Sequence, residues 1–400
     1  MTIPESESGT DSLRLSMDDW RHEWFPFDDC TYLNTAAEGV MPRAAAEAVA
    51  RVVEAKKYPH RWPITAQAYF EVPTRLRQSL ASLVGGHADE ITLTTGASAG
   101  PIALAYNWPW NTGDEVLTGA AEFPLQYTAW GPLTRREGVT LRVVKAAGAY
   151  PTADDYIAAL SPRTRLVSVS LVRFNDGSML DARPLADACH AQGALLCLDV
   201  SQCCGAVPID VASLGADFLT CAGYKWLLSS YGTGFFWIKR DHIERMRPGP
   251  FYWMATEGAD DFNALRLDDP QPVAAARRWD TPEWAGSFNP NLAAMAAAVA
   301  FVERVGPGLV YEHGSRLVDR LFAGLPPAIE VVSPRGAAAR GPFGCFRARS
   351  LDATQAIHQA LDAARVSVSL REGNVRVSPH LFNTDQDIDR VLDVVAGHIG

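Results

Sequence analysis

Short apolar runs alternate with longer amphipathic stretches between about residue 90 and residue 240. The runs are rich in β-branched and aromatic residues, which predicts strands, and the stretches between them have the spacing of helices. The predicted strands are 91–95, 115–119, 140–146, 165–172, 194–200, 217–222 and 234–239. Strands that alternate with helices predict an α/β fold, a mostly parallel central sheet with helices on both faces.

The pattern changes after residue 290. Two helical stretches come first, and strand-like pieces at 329–333, 343–349, 366–371 and 374–378 then alternate with helices at about 352–364 and 384–398. We therefore predict an N-terminal tail and arm at 1–30, a large domain at 31–289 and a small C-terminal α/β domain at 290–400. The irregular, aromatic-rich stretch 248–289 is expected to be functional or interfacial.

Composition narrows the class of protein. The chain has 400 residues, of which 48% are hydrophobic, so it can bury a large core. Its formal net charge of −10, from 36 basic and 46 acidic residues, lacks the basic footprint of nucleic-acid binding. We expect small-molecule chemistry with no nucleic-acid partner.

The seven cysteines contain no C-x-x-C pair, which argues against a disulfide framework and against a zinc site. The first twenty residues are polar and acidic without an apolar signal region, and no apolar run approaches membrane-spanning length. These features predict a cytoplasmic protein with no metal site and no membrane partner.

The segment ITLTTGASAGPIALAY, residues 91–106, predicts a strand, a turn of small residues and a helix. Such a turn offers backbone N–H groups and the positive end of a helix dipole to a phosphate, and Ser98 can add its hydroxyl. Residues 96–100 also match G-x-S-x-G, the nucleophile elbow of serine hydrolases. No HGG-type oxyanion motif precedes it, and His380 is the one candidate histidine, so a hydrolase is a distant alternative.

Asp199 and Lys225 follow two neighbouring predicted strands, whose carboxyl ends should meet at one sheet edge. A lysine that forms a Schiff base and an aspartate that keeps a ring nitrogen protonated are the minimum machinery of pyridoxal phosphate chemistry. The apolar flanks of Lys225 favour its neutral amine. The alternative for Asp199 is a helix N-cap.

Three further side chains fit the same interpretation. Phe123 follows the strand 115–119 and could stack on a heteroaromatic ring, although a core phenylalanine has the same pattern. Tyr224 could give its hydroxyl to a phosphate. Arg376 lies in an apolar strand, as an arginine would if it bound a carboxylate, and its alternative is an ion pair with an acidic residue.

Together these pieces resemble the class V aminotransferase family of fold type I pyridoxal phosphate enzymes, which includes cysteine desulfurases, kynureninases and isopenicillin N epimerase. The resemblance extends from YLNTAAEG at 32–39 to VRVSPHLFNTDQDIDRVL at 375–392. It implies Lys225 as the Schiff-base lysine, Arg376 and Asn34 at the substrate, and a homodimer with shared active sites. It also implies that pyridoxal 5′-phosphate contacts Ala97, Ser98, Phe123, Asn175, Asp199, Ser201, Gln202, Tyr224, Lys225 and, from the neighbouring subunit, Thr281.

Departures from the family pattern leave the reaction open. The loop before Arg376 lacks the nucleophilic cysteine of sulfur-mobilising desulfurases, and Cys345 is too early to replace it. Phe123 replaces a stacking histidine, so Lys225 would carry the acid and base work. Which of Arg173, Phe174 and Asn175 faces the cofactor also stays open.

The resemblance implies a transaminase or C–S/β-lyase that acts at the α-carbon of an amino acid. An amino-acid epimerase or a kynureninase-like hydrolase is the alternative on the same fold. A non-catalytic regulator that binds pyridoxal phosphate is a distant one, and the presence of Lys225 argues against it.

Overall fold

The computed structural model describes residues 20–27, 29–62, 65–249, 251–264, 268–282 and 286–398. Most of the predicted N-terminal tail therefore lies outside the described residues. Within the predicted arm, Trp20 and Trp24 are buried and pack edge-on against Phe301. These aromatic contacts fasten the start of the described chain to the core.

All seven strands predicted between residues 90 and 240 form, and they lie in one sheet. The strands of the protein are β1 (Thr31–Tyr32), β2 (Ile91–Thr94), β3 (Glu115–Gly119), β4 (Thr140–Val144), β5 (Thr164–Ser170), β6 (Leu195–Asp199), β7 (Phe218–Ala222), β8 (Gly234–Ile238), β9 (Glu330–Val331), β10 (Gly344–Arg347), β11 (Val366–Ser367), β12 (Ser369–Arg371) and β13 (Asn374–Val377). The large sheet has the order β2-β8-β7-β6-β5-β3-β4. Only β8 runs antiparallel to its neighbours, which confirms the mostly parallel sheet.

Helices cover both faces of this sheet and continue into the C-terminal part. They are α1 (Arg43–Lys56), α2 (Ala66–Val84), α3 (Ala99–Asn107), α4 (Leu125–Thr128), α5 (Gly131–Arg136), α6 (Ala153–Ala159), α7 (Ala182–Ala191), α8 (Val211–Leu214), α9 (Arg240–Ile243), α10 (Pro290–Val305), α11 (Pro307–Gly324), α12 (Leu351–Ala363) and α13 (Asp385–Ala396). Short 3-10 helices lie at Pro59–Arg61, Ala88–Glu90, Trp253–Ala255, Ala276–Trp279 and Ala337–Ala339.

Local sequence explains where several helices end. Gly85 closes α2 in the left-handed conformation, with φ 70°, which a residue without a Cβ adopts at little cost. The stretch 125–137 forms α4 and α5 because the ring of Pro132 cannot continue a helix through the preceding turn.

The large sheet is buried on both faces, and side chains alternate between two apolar clusters. In β6, Leu196 and Leu198 enter one cluster, whereas Leu195 and Cys197 enter the other. Asp199, at the carboxyl end of β6, lies on the same face of the sheet as Leu195 and Cys197. A carboxylate is thus placed at the sheet edge by the same alternation that builds the core.

The C-terminal part contains a second, antiparallel sheet in the order β12-β13-β10-β9, with its own apolar core. The predicted strand 366–371 is divided in two, because β11 pairs in parallel with β1 while β12 pairs with β13. Residues 31–34 are therefore bonded to the C-terminal part. The boundary predicted at residue 290 stays a prediction.

Helix α10 is among the most buried in the protein. No single described helix is long and apolar enough to cross a membrane, and α10 and α11 reach that length and composition only jointly, with a bend of 74°.

The irregular stretch 248–289 forms two 3-10 helices in its described parts. Its aromatic side chains pack on a neighbouring segment, since Phe288 stacks on Trp62 and meets Tyr69 edge-on. Whether this stretch has a functional or interfacial role stays a prediction.

Candidate active site

The carboxyl ends of β2, β3, β6 and β7 surround a cavity of about 240 Å³. Seven of the predicted cofactor residues line it: Ala97, Ser98, Phe123, Asp199, Ser201, Tyr224 and Lys225. Thr95, Gly96, Ala99, Leu125, Ala222 and Tyr231 complete the lining. Seven of the ten residues predicted to contact the cofactor thus lie around one cavity, and their roles there stay predictions.

The turn after β2 lies tightly on the neighbouring strands. A Cβ on Gly100 would lie 2.4 Å from Cδ2 of Phe236, and a Cβ on Gly234 would lie 2.8 Å from the Cα of Gly96. The carbonyl of Ala97 accepts a hydrogen bond from the Thr220 hydroxyl. This packing fixes the start of α3 at the cavity, where the exposed Ser98 and the helix N-terminus can meet a phosphate.

Asp199 is held in a turn, and it does not cap a helix. Its Oδ1 accepts a hydrogen bond of 2.8 Å from the backbone N–H of Ser201. The Ser201 hydroxyl in turn accepts a bond of 2.9 Å from the N–H of Ala222, at the end of β7. These bonds fix the carboxylate at the cavity, which favours the cofactor interpretation over the N-cap alternative.

Glu122 is a buried carboxylate behind this aspartate that sequence reasoning missed. It accepts hydrogen bonds from the N–H of Ser170 at 3.1 Å and from the Ser170 hydroxyl at 2.5 Å. Ser170 is paired with Asp199 across β5 and β6. Burial raises the pKa of Glu122, and the charge of Asp199 raises it further. Its position directly before Phe123 was the available signal.

Lys225 is buried, with 8% of its surface exposed. Its Nζ lies 5.2 Å from the centre of the Phe123 ring and 5.6 Å from that of Tyr224. Burial lowers the pKa of Lys225, and the positive charge of Arg376 lowers it further, while Asp199 acts in the opposite direction. The amine is therefore easier to deprotonate than that of an exposed lysine.

The N-terminal segment packs against Lys225. The N–H of Gly39 donates a hydrogen bond of 2.7 Å to the carbonyl of Tyr224. A Cβ on Gly39 would lie only 1.9 Å from the carbonyl oxygen of Lys225, so only glycine allows this approach. Burial raises the pKa of Glu38, and the positive charge of Lys225 acts in the opposite direction. Neither residue was recognised from the sequence.

Tyr224 lies beside the lysine with its ring 4.7 Å from that of Tyr231. Burial raises the pKa of Tyr224 to about 12. Its hydroxyl therefore keeps its proton at neutral pH and can donate a hydrogen bond to an anionic group.

Gln202 lies beside the cavity without lining it. Its side chain donates to the carbonyl of Ala36 at 3.1 Å and accepts from the Trp226 indole at 3.3 Å. These bonds tie it to the N-terminal segment. A contact between Gln202 and the cofactor stays a prediction.

In the loop 173–176, Arg173, Phe174 and Asn175 make different contacts. Sequence analysis left open which of the three faces the cofactor. Arg173 is paired with Asp176 at 2.9 Å and donates to two backbone carbonyls, which gives it a structural role. Phe174 meets the Phe123 ring edge-on at 5.4 Å. Asn175 is buried outside the cavity lining, and its Oδ1 has no hydrogen-bond partner. Phe174 is thus the one in contact with the predicted stacking ring.

Arg376 lies in β13, outside the lining of the cavity, and is 1% exposed. Its Nη1 donates to the carbonyl of Phe174 at 2.8 Å, and Nη2 contacts the Ser369 hydroxyl at 3.5 Å. The Ser369 hydroxyl donates to Oδ1 of Asn34 at 2.5 Å. No described carboxylate forms an ion pair with Arg376, and burial lowers its pKa to about 10. The ion-pair alternative therefore finds no support, and the guanidinium of Arg376 is available to bind an anion.

Thr281 lies at the outer edge of the sheet and not on the cavity. Its N–H donates to the carbonyl of Leu93 at 3.0 Å. The adjacent Asp280 pairs with the buried Arg77 and accepts from the N–H of Leu93 at 2.8 Å. The segment is thus anchored on β2, and its contact with a second subunit stays a prediction.

The arrangement does not support a serine hydrolase. His380 is buried among aromatic rings of Trp24, Trp226 and Phe382, and burial lowers its pKa to about 3. The described lining of the cavity that contains Ser98 includes no histidine. Ser98 therefore has no neighbouring base of the kind a nucleophile requires.

The chain belongs to the class V aminotransferases, since the family description "Aminotransferase class-V" matches residues 31–391. It is similar to isopenicillin N epimerase of Streptomyces clavuligerus, with 27% identity over 388 residues that cover 91% of this chain and 93% of that protein. A probable cysteine desulfurase of Methanothermobacter thermautotrophicus is 26% identical over 344 residues, which cover 80% of this chain and 83% of that protein.

Solved structures agree on the fold. A C-DES mutant with glycine covalently linked to the PLP cofactor superposes with a TM-score of 0.84 at 23% identity, over 94% of this chain and 98% of that one. The apo cysteine desulfurase of Thermococcus onnurineus gives 0.83 at 19% identity, over 95% and 97%. The protein is a fold type I enzyme that depends on pyridoxal phosphate, which confirms the resemblance drawn from its sequence.

The residues present fit this cofactor. The glycine-lined turn at Ala97 and Ser98 offers a phosphate cradle, and the fixed carboxylate of Asp199 suits a ring nitrogen. The buried amine of Lys225 lines the same cavity, 5.2 Å from the centre of the Phe123 ring. The lining therefore offers partners for the phosphate, the ring nitrogen and the aldehyde of pyridoxal phosphate.

Proposed function

We propose that this enzyme moves a proton at the α-carbon of an amino-acid substrate, in a transamination or in a β-elimination such as C–S bond cleavage. The observation that carries the proposal is the buried amine of Lys225, which lies in the cavity with a lowered pKa. When bound, pyridoxal phosphate withdraws electrons from the α-carbon and makes its proton acidic. Side chains of this protein must then transfer the proton and bind the substrate.

Lys225 is the group best suited to carry the proton. The other titratable side chains that line the cavity are Asp199, Tyr224 and Tyr231. Asp199 is committed to the ring nitrogen, and Tyr224, with a pKa of about 12, retains its own proton. Phe123 has no proton to exchange. A single base can take a proton from the α-carbon and deliver it to a neighbouring atom, as transamination and elimination require.

Epimerisation and kynureninase-like hydrolysis remain alternatives within the same proposal. Epimerisation requires a proton to reach either side of the α-carbon, and the described lining shows one suitable amine. Because the chain is similar to isopenicillin N epimerase, the test of the proposal includes epimerisation.

Persulfide transfer is the least supported reaction. Cys345 lies in β10, fully buried and paired with Arg376 across the strands. Burial raises the pKa of Cys345 to about 12. A buried thiol that holds its proton is a poor nucleophile.

Arg376 supplies the substrate anchor in this proposal. Its guanidinium is fixed by the carbonyl of Phe174 and the hydroxyl of Ser369, and no carboxylate in the described part of the chain pairs with it. A fixed, unpaired guanidinium binds a carboxylate in bidentate fashion. We place the α-carboxylate of the substrate there, with Asn34 at the border of the site.

A homodimer and a cytoplasmic location complete the proposal. Exposed apolar side chains lie on α3 and beside the cavity: Ile102, Tyr106 and Tyr231. A second copy would cover them and bring its own Thr281 segment towards the cavity. The seven cysteines are all free, which supports a reducing compartment.

The test is a spectral and product scan of the purified, cofactor-loaded enzyme over a panel of amino acids. We expect the visible absorption of the cofactor to change with some of them, and keto acid, pyruvate, ammonia or sulfide to appear. Chiral analysis of the remaining amino acid would reveal epimerisation. A colourless protein that cannot be loaded with pyridoxal phosphate would refute the proposal.

A further inference from the structure

The hairpin formed by β12 and β13 presents a second arginine on the side that faces the site. Alternate residues of a strand point to opposite faces. Leu370 and Val375 pack into the C-terminal core, whereas Ser369 and Arg376 turn the other way to contact each other. Arg371 lies two residues after Ser369 and therefore leaves β12 on the same side.

The turn of this hairpin fixes the register. Glu372 and Gly373 have φ values of 48° and 78°, as in the tight two-residue turns that join antiparallel strands. Arg371 is thereby paired with Asn374, and Ser369 with Arg376. The two arginines share one face of the hairpin at diagonal positions, where long side chains can reach a common ligand.

Arg371 has no acidic partner among the residues that the structure describes. Its Nη1 donates to the carbonyl of Leu370 at 3.0 Å, and no described carboxylate forms an ion pair with it. Its charge lowers the pKa of Arg376 and of Lys225, in addition to the larger effect of burial on each. Arg371 and Arg376 thus place two positive charges on one face of the hairpin, an arrangement that an anion would stabilise.

Unsatisfied polar atoms lie on the same face. Nε of Arg376 and Oδ1 of Asn374 are buried without hydrogen-bond partners, and so is Oδ1 of Asn175. Asn374 is linked to this loop, since its Nδ2 donates to the carbonyl of Asn175 at 3.0 Å. Buried polar atoms are nearly always paired in folded proteins, so these atoms indicate a place where a polar ligand binds.

We propose that Arg371 binds a second acidic group, carried by the side chain of the substrate, while Arg376 holds the α-carboxylate. The substrate is then an α-amino acid with an anionic side chain. This inference rests on the proposed function, because it places an amino acid in the cavity. Diagonal neighbours on adjacent antiparallel strands are separated by roughly 7–8 Å, which suits an acidic group a few bonds beyond the α-carbon. Carboxylate, phosphate and sulfonate share this chemistry.

The experiment compares ligand pairs that differ mainly in side-chain charge, with the cofactor-loaded enzyme. The pairs are L-glutamate with L-glutamine, L-aspartate with L-asparagine, and O-phospho-L-serine with L-serine. Dissociation constants come from the change in visible absorption. In at least one pair we expect the acid to bind about tenfold more tightly, and Arg371→Gln to abolish that ratio without changing the affinity for the neutral member. Arg349→Gln, which changes another exposed arginine of the C-terminal part, is the matched control and should preserve the ratio.

The outcomes separate this inference from the proposed function. The pair with the largest ratio identifies the acidic group, and Arg371→Lys should retain part of the preference. Equal affinities within every pair would overturn the inference, as would an equal loss of both members in Arg371→Gln. Failure of the proposed function looks different, because no amino acid would then change the absorption of the wild-type enzyme.

Discussion

The half of the site proposed to hold the cofactor and the half proposed to face the substrate are built in different ways. Asp199, Ser201 and Lys225 lie at the ends of neighbouring strands of one sheet, and the bonds that fix Asp199 and Ser201 span 2 and 21 positions of the chain. On the substrate side, Ser369 bonds to Asn34 across 335 positions of the chain, and Arg376 bonds to Phe174 across 202. The first half depends on local order, and the second depends on the docking of distant segments.

This difference explains why the cofactor is easier to identify than the reaction. The carboxyl edge of a parallel sheet gathers ligand groups whatever the substrate is. Specificity, in contrast, comes from side chains whose neighbours are set only by the tertiary fold. If the two halves are independent, a substitution in the cofactor half or in the substrate half should impair that half alone.

The largest effect is expected for Lys225→Ala in the cofactor half. The variant should lose the visible absorption of the lysine-bound cofactor, and its turnover should fall by at least about 10³-fold, because the amine carries the proton. Absorption spectra and product assays measure both. Lys145→Ala, at an exposed lysine, serves as the control and should behave like wild type. Retained turnover in Lys225→Ala would exclude Lys225 as the base.

Arg376→Ala should damage the substrate half alone. Loss of a buried guanidinium that pairs with a carboxylate should raise KM about 100-fold, whereas the cofactor absorption should not change. Steady-state kinetics beside the spectrum provide the measurement. Arg376→Lys keeps the charge without the planar geometry and should recover only part of the affinity. An unchanged KM would remove this residue from the substrate site.

The pH dependence of cofactor loading should report on Lys225. Only the neutral amine forms the bond, so the loading rate of the apoprotein should rise about tenfold per pH unit below the lysine pKa. Because burial lowers that pKa, the rise should level off below pH 10.5, the ordinary value. Stopped-flow absorbance measures the rate, with Nα-acetyl-lysine as the reference amine. A rise that continues as far as in the reference would contradict the burial argument.

The smallest effect is expected for Ser369→Ala, which removes the hydroxyl between Asn34 and Arg376. The loss of such a hydrogen bond should raise KM about fivefold and leave the cofactor spectrum unchanged. Ser350→Ala is the control, because that serine caps α12 and should affect stability without affecting KM. Equal KM changes in the two variants would show that Ser369 acts only through stability.

Sequence analysis predicted the central sheet because its strands are apolar runs with clear boundaries. Asp199 is the last residue of β6, and Lys225 lies shortly after β7. It missed Glu122, whose partner Ser170 lies 48 positions away, and Gly39, whose constraint is a contact with Lys225. The strand predicted at 366–371 was wrong in one respect, since it divides between two sheets. No local pattern indicates which partner each half of that strand will find.

The parallel pairing of β1 with β11 has a consequence for how the enzyme assembles. It joins Thr31 to Val366, so forming it closes nearly the whole chain into a loop, and the entropy cost rises with the length of that loop. Contacts of such long sequence separation tend to form late in folding. The pairing of β1 with β11 is therefore expected to form after the large sheet, so Asn34 reaches Ser369 only when the two ends of the chain come together.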